Sequence, residues 1–321
     1  MKEESTNSIS PVYLVVIAVL LWSTGGLFIK LTDGQLDAYQ VTFFRSLFAA
    51  ITVLILTWKD GLRINVFGLV TSVIYALLLF LFVWATKKTT AANAIFLQYT
   101  APIYILVLAP FIIGEKFHWR DLVTVVVVLA GMSLFFVGQL RLEDYQGNIA
   151  ALFSGIFLGL YIMLLRHPRA DSLQKPGREQ GRNENAADHA VPPASKMNPA
   201  IAVIYGNFLL ALVNAPTGFS AIPSMGFMDW FAVAFLGIFQ IGISYILFIK
   251  GVRGGTRPLD ASLIGFIEPL LNPVWVFIFV GERPSQWALL GGAIIIAAIA
   301  IHTIRQYARR GNVVATDDSS L

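Results

Sequence analysis

Residues 259–282 read LDASLIGFIEPLLNPVWVFIFVGE. The run from Leu259 to Val280 holds 22 residues and is apolar at both ends. A bilayer hydrocarbon core about 30 Å thick needs roughly 20 helical residues, so the run is long enough to cross it. Its middle carries Glu268-Pro269 and Asn272-Pro273. A carboxylate at the centre of such a span is expensive and marks a functional site by default. Each proline lacks a backbone N–H and displaces the carbonyl four residues earlier, so Pro269 and Pro273 are expected to break the helix and free the carbonyls of Gly265 and Pro269. Broken backbone at membrane depth persists only where protein buries it or water reaches it. The stretch therefore reads as the wall of a cavity, with Glu268 facing in.

The stretch has a relative earlier in the chain. Subtracting 167 from each number places Pro269 on Pro102, Gly281-Glu282 on Gly114-Glu115, Phe266 on Tyr99 and Ala261 on Ala94, with no gap from residue 92 to residue 138. Glu268 falls on Ala101 and Asn272 on Ile105. Two copies share a scaffold, and the second alone carries the carboxylate.

Composition places this scaffold in a membrane. The chain is 56% hydrophobic and 13% charged, whereas a soluble domain is typically about 25% charged. A net charge of +4 fits basic loops on one membrane face rather than a nucleic-acid partner. The absence of cysteine excludes disulfide, zinc-thiolate and thiol chemistry. Pro11 to Ile29 is longer than the apolar region of a cleavable signal, which is about 7–15 residues, and reads as a first spanning helix.

Ten spans follow from the apolar runs: 11–30, 38–57, 66–86, 91–113, 121–139, 146–166, 199–216, 228–250, 259–280 and 286–304. The fold class is an all-α polytopic membrane protein of ten transmembrane helices. An odd number of spans per copy makes the second enter the membrane upside down, so the copies form two inverted five-helix repeats. That arrangement marks transporters, with the site near mid-depth between the repeats. The chain divides into an N-terminal tail (1–10), a first repeat (11–139), a second repeat (146–304) and a C-terminal tail (305–321). Residues 167–198, rich in Pro, Gly, Asn and charge, cannot bury enough apolar surface to fold and read as a disordered insertion. With the N-terminus in the cytoplasm, 17 Lys and Arg residues fall on inner segments and 5 on outer ones. Both termini are therefore expected inside a plasma membrane.

Few residues within the spans carry chemistry. Arg45 is the other deep charge. At 1.5 Å per residue, Arg45 and Glu268 lie about 12 and 13 Å from opposite faces, so their depths differ by only about 5 Å in a 30 Å core. A direct or water-bridged pair fits this geometry, as does an outward-reaching Arg45. Glu268, Asn272, Trp275 and Phe279 follow the spacing of one helix face and suggest a polar, aromatic cavity wall. Asn272 and Trp275 are equally suited to bonding a neighbouring helix. Asn93, Gln98 and Tyr99 on the fourth span, Gln240, Ser244 and Tyr245 on the eighth, and Trp22 on the first are further candidates. Interhelical hydrogen bonds account for any one of them equally well. Gly155 and Gly159 form a small-residue packing face.

Catalytic and energy-coupling motifs are absent. The four histidines form no HExxH, and there is no GxSxG, no phosphate-binding GxxxxGK[ST] and no TVGYG-like filter. The reading is not an enzyme, with no cofactor and no metal.

The segments LLWSTGGLFIKL (20–31), TFFRSLFAA (42–50), AIFLQYTAPIYILVLAPFIIGEKF (94–117) and SLIGFIEPLLNPVWVFIFVGERPS (262–285) together resemble the EamA-type transporters of the drug/metabolite transporter superfamily. The resemblance covers essentially residues 11–304, and the long polar insertion after the sixth span departs from it. It implies a ten-helix secondary transporter. Many such proteins export amino acids or other small metabolites, and others move drugs, vitamins or nucleotide sugars. The expected function is alternating-access transport of a small polar metabolite, an amino acid or related compound, in the direction of export. Glu268 would bind a proton, the candidate coupling ion, or the substrate's ammonium group. An uncoupled facilitator and a non-transporting membrane sensor or scaffold are the alternatives, and a flux assay separates them.

Overall fold

The computed structural model describes residues 10–32, 36–89, 91–135, 137, 143–171, 197–280 and 286–318. All regular structure among them is helical. The expected tail 1–10, apart from Ser10, and residues 172–196 of the insertion lie outside the described residues.

The helices in chain order are α1 (Pro11–Trp22), α2 (Gly25–Lys30), α3 (Ala38–Thr57), α4 (Val66–Lys88), α5 (Ala91–Gln98), α6 (Ala101–Ile112), α7 (Trp119–Phe135), α8 (Tyr145–Leu164), α9 (Ile201–Ala221), α10 (Phe227–Phe235), α11 (Ser244–Arg253), α12 (Pro258–Ile264), α13 (Ile267–Val280) and α14 (Gln286–Asp318). A π-helical segment, Leu236–Ile243, joins α10 to α11. Among the described residues, six continuous stretches are long and apolar enough to cross a membrane: Tyr39–Asp60, Val66–Ala85, Ala94–Ile112, Tyr145–Leu164, Ile201–Ser224 and Phe227–Arg253. Shorter apolar helices run Pro11–Trp22 and Leu289–Arg305.

Local chemistry sets many of the helix ends. The Asp37 carboxylate accepts from the N–H groups of Tyr39 and Gln40 at 2.8 Å each, and Gln40 Oε1 accepts from Asp37 N–H. This reciprocal cap starts α3. Asn65 Oδ1 accepts from Gly68 N–H at 2.7 Å to start α4. Proline takes the first helical position of α1 and of α12, where its missing N–H is harmless. Gly114, at φ 70°, follows α6 in a conformation that other residues rarely adopt.

Three expected spans are broken. The first divides at Ser23-Thr24, the fourth at Tyr99-Thr100 and the ninth at Gly265-Phe266. The last two breaks fall one residue apart in the repeat alignment, each just before its proline. The ninth-span break corrects the expectation for Gly265: its carbonyl accepts from Glu268 N–H at 2.9 Å. The ladder tightens to i→i−3 there instead of leaving an open carbonyl. The helix then continues through Pro273 to Val280, so Pro273 does not end it. Other boundaries also move. α9 runs through Pro216 to Ala221, and α14 continues past 304 to Asp318.

Packing is dominated by pairs that cross between the two halves of the chain. α3 lies on α9, α4 on α8, α1 on α11 and α7 on α14. α3 also meets the π-helical segment, α4 meets α9, and α5 and α6 both pack on α8. Gly155 of α8 makes the last contact possible: a Cβ there would stand 2.8 Å from the Gln98 carbonyl oxygen. The main buried cluster gathers side chains from both halves, among them Val19, Tyr75, Tyr99, Met132, Tyr161, Val203, Tyr245 and Phe266.

Candidate functional site

The fourth-span break delivers Tyr99 to the middle of the bundle, where it is 6% exposed. Its hydroxyl donates to Glu268 Oε2 at 2.6 Å. Its ring meets Phe266 at 5.0 Å, with an interplanar angle of 63°. The two positions that the repeat alignment equates thus touch, and the carboxylate that only the second copy carries is bonded to the first. Glu268 keeps some accessible surface although protein surrounds it.

An aromatic set extends from this pair. Tyr245 lies 4.9 Å from Trp22, 5.1 Å from Tyr75 and 6.1 Å from Tyr161, ring centre to ring centre. Tyr75 and Tyr161 are 5.1 Å apart. Asn207 Nδ2 donates to the Tyr75 hydroxyl at 3.1 Å. Tyr75, Tyr161 and Asn207 extend the site beyond the residues marked by sequence. Polarity in the middle of an apolar span, the signal that marks Gln98, applies to Asn207 as well.

Several candidates fill structural roles. Gln98 Nε2 donates to Ser154 Oγ at 2.8 Å, and Ser154 passes a bond to the Leu78 carbonyl at 3.0 Å. This chain ties α5, α8 and α4 together. Trp275 Nε1 donates to Ser23 Oγ at 2.9 Å, fastening α13 to the first-span break. Phe279 is 64% exposed, so the expected cavity face does not extend to it. Same-face spacing places these side chains on one stripe, and the end of that stripe lies beyond the packed interior. Ser244 Oγ donates to the carbonyls of Gln240 and Ile241 in the π-helical segment just before it. Gln240 packs its amide nitrogen against Gly25. The side chains of Asn93, Asn272 and Pro273 lie outside the described residues; Pro102 and Pro269 are buried at their breaks.

Arg45 is 8% exposed and does not reach outward along its stem. It forms no ion pair with Glu268, so the expected direct pair is not made. Trp22 Nε1, Arg45 Nε, Tyr161 Oη, Gln240 Oε1 and Asn207 Oδ1 are buried and unbonded among the described residues.

One end of the bundle is organised differently. Arg257 reaches Asp121 Oδ2 at 2.9 Å and Glu115 Oε2 at 3.5 Å, and Arg166 reaches Glu115 Oε1 at 3.5 Å. His302 Nε2 lies 3.0 Å from Asp260 Oδ1, and its Nδ1 lies 3.2 Å from Thr124 Oγ1. Burial works against the Arg257 charge, but Asp260, Asp121 and Glu115 outweigh it and hold the guanidinium above its usual range. Beside this network a cavity of about 260 Å³ opens, lined in part by Ser10, Thr256, Asp260 and His302. Among the described residues no cluster of His, Asp and Glu is placed to hold a metal.

A family model for EamA-like transporters matches residues 9–137 and 191–304. The chain belongs to the EamA-like transporter family. The match omits residues 138–190, which include α8 and most of the polar insertion, and covers both copies of the break. An uncharacterized transporter of Archaeoglobus fulgidus is 25% identical over 89% of this chain and 94% of its own. The pseudopaline exporter of Pseudomonas aeruginosa is 25% identical over 90% and 94%. A protein of Streptantibioticus cattleyicolor, assigned as a terminal-alkyne amino-acid exporter, is 23% identical over 71% and 69%. A solved crystal structure matches with a TM-score of 0.69 and 20% identity, covering 94% of this chain and 98% of that one; the likeness is one of fold. Family and relatives place this multi-pass protein among transporters and not among enzymes.

Proposed function

We propose that this EamA-like protein is a secondary transporter of the plasma membrane that exports a small polar metabolite, an amino acid or related compound, by alternating access. The observation that carries this reading is the Tyr99–Glu268 hydrogen bond, made between two broken helices by a carboxylate with no counterpart in the other copy. The exporter names of two relatives support the substrate class and direction.

The packing pattern supports ten spans in two inverted repeats, and the excess of Lys and Arg on the inner segments supports cytoplasmic termini. Exchanging each span of one half with its equivalent in the other turns the α4–α8 pair into α11–α1, and the α4–α9 pair into the packing of α3 with the π-helical segment. It returns α3–α9 and α7–α14 to themselves. Tyr99 against Phe266 is the contact expected at an axis relating the copies. The sequence halves interlock too closely to rock as units. The moving bodies in this reading are α4, α5, α6 and α8 on one side, and α1, α11, α12 and α13 on the other.

Glu268 is the coupling group: it releases a proton toward one side and takes up a proton or a cationic substrate group from the other. Glu268→Gln keeps the size and the Tyr99 acceptor and removes the exchangeable charge. In proteoliposomes with an imposed pH gradient, the wild type is expected to accumulate substrate. The variant should fall to the level reached without the gradient while retaining exchange. Undiminished accumulation by the variant would show that Glu268 does not couple.

A further inference from the structure

We propose that Asp260 and His302 form a second proton-binding site, at the cytoplasmic end of the pathway, where the proton exchanged at Glu268 passes to or from the cytoplasm. The role of the site rests on the transport reading; its existence does not.

The pair stands on the helix that leads to Glu268. α12 carries Asp260 in its first turn and ends at the Gly265-Phe266 break, just before Glu268. The cavity of about 260 Å³ follows that helix. Asp260, Leu263 and Ile264 line it, with Val12 of α1 and Ile299 and His302 of α14. Ile264 adjoins the break, where Phe266 is fully buried and packs edge-on against Tyr99, the partner of Glu268. The cavity thus joins the Asp260–His302 pair to the near side of that break. A water needs about 10–15 Å³ of such space, so the cavity has room for several. Thr256 calls for one. It lines the cavity at 3% exposure, and its Oγ1 is buried with no hydrogen-bond partner among the described residues. A buried hydroxyl needs a partner, and water in the cavity supplies it.

The surroundings of His302 suit both of its protonation states. The ring is 8% exposed. Its Nε2 lies 3.0 Å from Asp260 Oδ1, and its Nδ1 lies 3.2 Å from Thr124 Oγ1. Thr124 Oγ1 also lies 3.0 Å from the Arg120 carbonyl oxygen. An ionised carboxylate only accepts, so Nε2 carries a hydrogen. In the neutral ring, Nδ1 accepts from the Thr124 hydroxyl. In the charged ring, Nδ1–H donates to Thr124 Oγ1, and the hydroxyl hydrogen turns to the Arg120 carbonyl. One proton is gained, one hydroxyl rotates, and no heavy atom moves. Imidazole is the side chain whose ordinary charge change falls near neutral pH, and here it borders a water-sized cavity.

The charged groups on the elements around it are Arg120 and Asp121 on α7, Glu115 and His118 before it, Arg257 at the start of α12, Lys250 and Arg253 at the end of α11, and Arg305 on α14. Arg257 is engaged by Asp121 at 2.9 Å and by Glu115 at 3.5 Å. α1 brings no charge to the cavity. Asp260 is the carboxylate at the ring itself.

The direct test is nuclear magnetic resonance of the full-length protein with histidine-ring nitrogen-15 labels. His302→Gln identifies the signal, as does the joint replacement of His118, His167 and His189 by Gln, which leaves one imidazole. The His302 ring is expected to hold hydrogen on Nε2 alone at high pH and on both nitrogens at low pH, changing between about pH 5 and 8. A ring that stays in one state across that range overturns the site, as does a neutral form with hydrogen on Nδ1 alone.

Water access is tested separately. The chain has no cysteine, so Thr256→Cys can be probed with an impermeant methanethiosulfonate. Modification is expected in inside-out vesicles and not in right-side-out ones. Any other pattern overturns the cytoplasmic port. The role is read in proteoliposomes with a carbon-14 amino-acid mixture. His302→Gln keeps a donor toward Asp260 but cannot take the proton. It should slow gradient-driven accumulation several-fold and leave exchange at equal pH unchanged. Undiminished accumulation, or equal loss of both activities, overturns the role. A wild type that shows the His302 transition and the labelling but no flux sinks the transport reading and leaves the proton site standing.

Discussion

Two sets of charge in this protein are built on opposite plans. At one end of the bundle, Arg257, Asp121, Glu115 and Arg166 are paired at 2.9 to 3.5 Å, and Asp260 is answered by His302. In the middle, Arg45 is buried and Glu268 is bonded to Tyr99, and the two charges do not pair. The end set joins α7 and the loop before it to α12 and the end of α8, and it is complete as it stands. The central set is incomplete: α3, which carries Arg45, packs on the π-helical segment, and α13, which carries Glu268, packs on the broken first span, with no ion pair between the two charges. A charge that is fully answered contributes to holding a structure together. One left unanswered in the interior costs stability, and a fold that retains it points to a ligand or ion completing it in the working cycle.

The comparison breaks most clearly on the sign of a stability change. Glu268→Gln removes an interior charge whose described bond is to Tyr99, so thermal stability in detergent should hold or rise while gradient-driven accumulation is lost. Arg257→Ala strips a partner from Asp121, whose side chain is only 8% exposed. Truncating one member of a buried pair costs about 3–5 kcal/mol. Arg257 keeps 23% side-chain exposure, so screening reduces the loss to about 1–3 kcal/mol. The expected readout is a fall of several degrees in the unfolding midpoint, with accumulation per folded molecule preserved. Asp121→Asn in the Arg257→Ala background should add less than it does alone. If Glu268→Gln destabilises as much as Arg257→Ala, the central carboxylate belongs to the scaffold and the contrast fails.

Tyr99→Phe sharpens the comparison at a smaller scale. It makes the first copy match the second, where Phe266 occupies the equivalent position, and removes the hydroxyl that donates to Glu268. A hydrogen bond to a charged group contributes about 1.5–3 kcal/mol, and interhelical bonds in membrane bundles average nearer 0.6. The expected result is a few-fold drop in accumulation under the pH gradient, with folding unaffected. Accumulation equal to wild type would mean that the bond is incidental to coupling.

Much of this is legible in the sequence. Arg45 and Glu268 stand out because charge is rare in apolar spans, and Pro102 and Pro269 mark both paired breaks because their ring chemistry acts locally. The second break lies about one turn before the prolines that mark it in the sequence. Proline shows where an N–H is missing, but Gly265 gave the backbone an earlier place to bend, and its carbonyl found the Glu268 N–H. The aromatic set was only half visible. Tyr75 and Tyr161 lie in apolar helices, where a tyrosine reads as packing until its neighbours are known. The end network was out of reach, because Arg257 and Asp121 are 136 residues apart and no local pattern pairs them. Trp275 shows the limit of periodicity: spacing fixed its stripe, and Ser23, across the bundle, decided what it does.

The smallest effect is expected where the chain is longest between helices. After α8 a short turn, Pro168–Asp171, follows, with Ala170 buried at 7%. Before α9, Met197 and Asn198 are buried at 5% and 1%. Asn198 Nδ2 donates to Thr57 Oγ1 at 2.9 Å and to the Gly61 carbonyl at 3.3 Å. The edges of the expected insertion, 167–171 and 197–198, are thus docked, and the rest of it lies outside the described residues. Ala170 and Met197 also line one small cavity beside Phe67 and Gly68, so the two anchors are neighbours. Removing residues 173–192 leaves a connection of a few residues, each able to span about 3.3 Å, which is enough to join neighbouring anchors. Loop-closure entropy changes by only about 0.6 kcal/mol per doubling of length, and shortening moves it in the stabilising direction. Expression, unfolding midpoint and gradient-driven accumulation of the deletion variant should all match wild type. Asn198→Ala, which removes an anchor and leaves Thr57 Oγ1 without its donor, should cost more than deleting those twenty residues. A deletion that lowers accumulation while leaving the midpoint unchanged would assign the segment a part in transport that its composition does not predict.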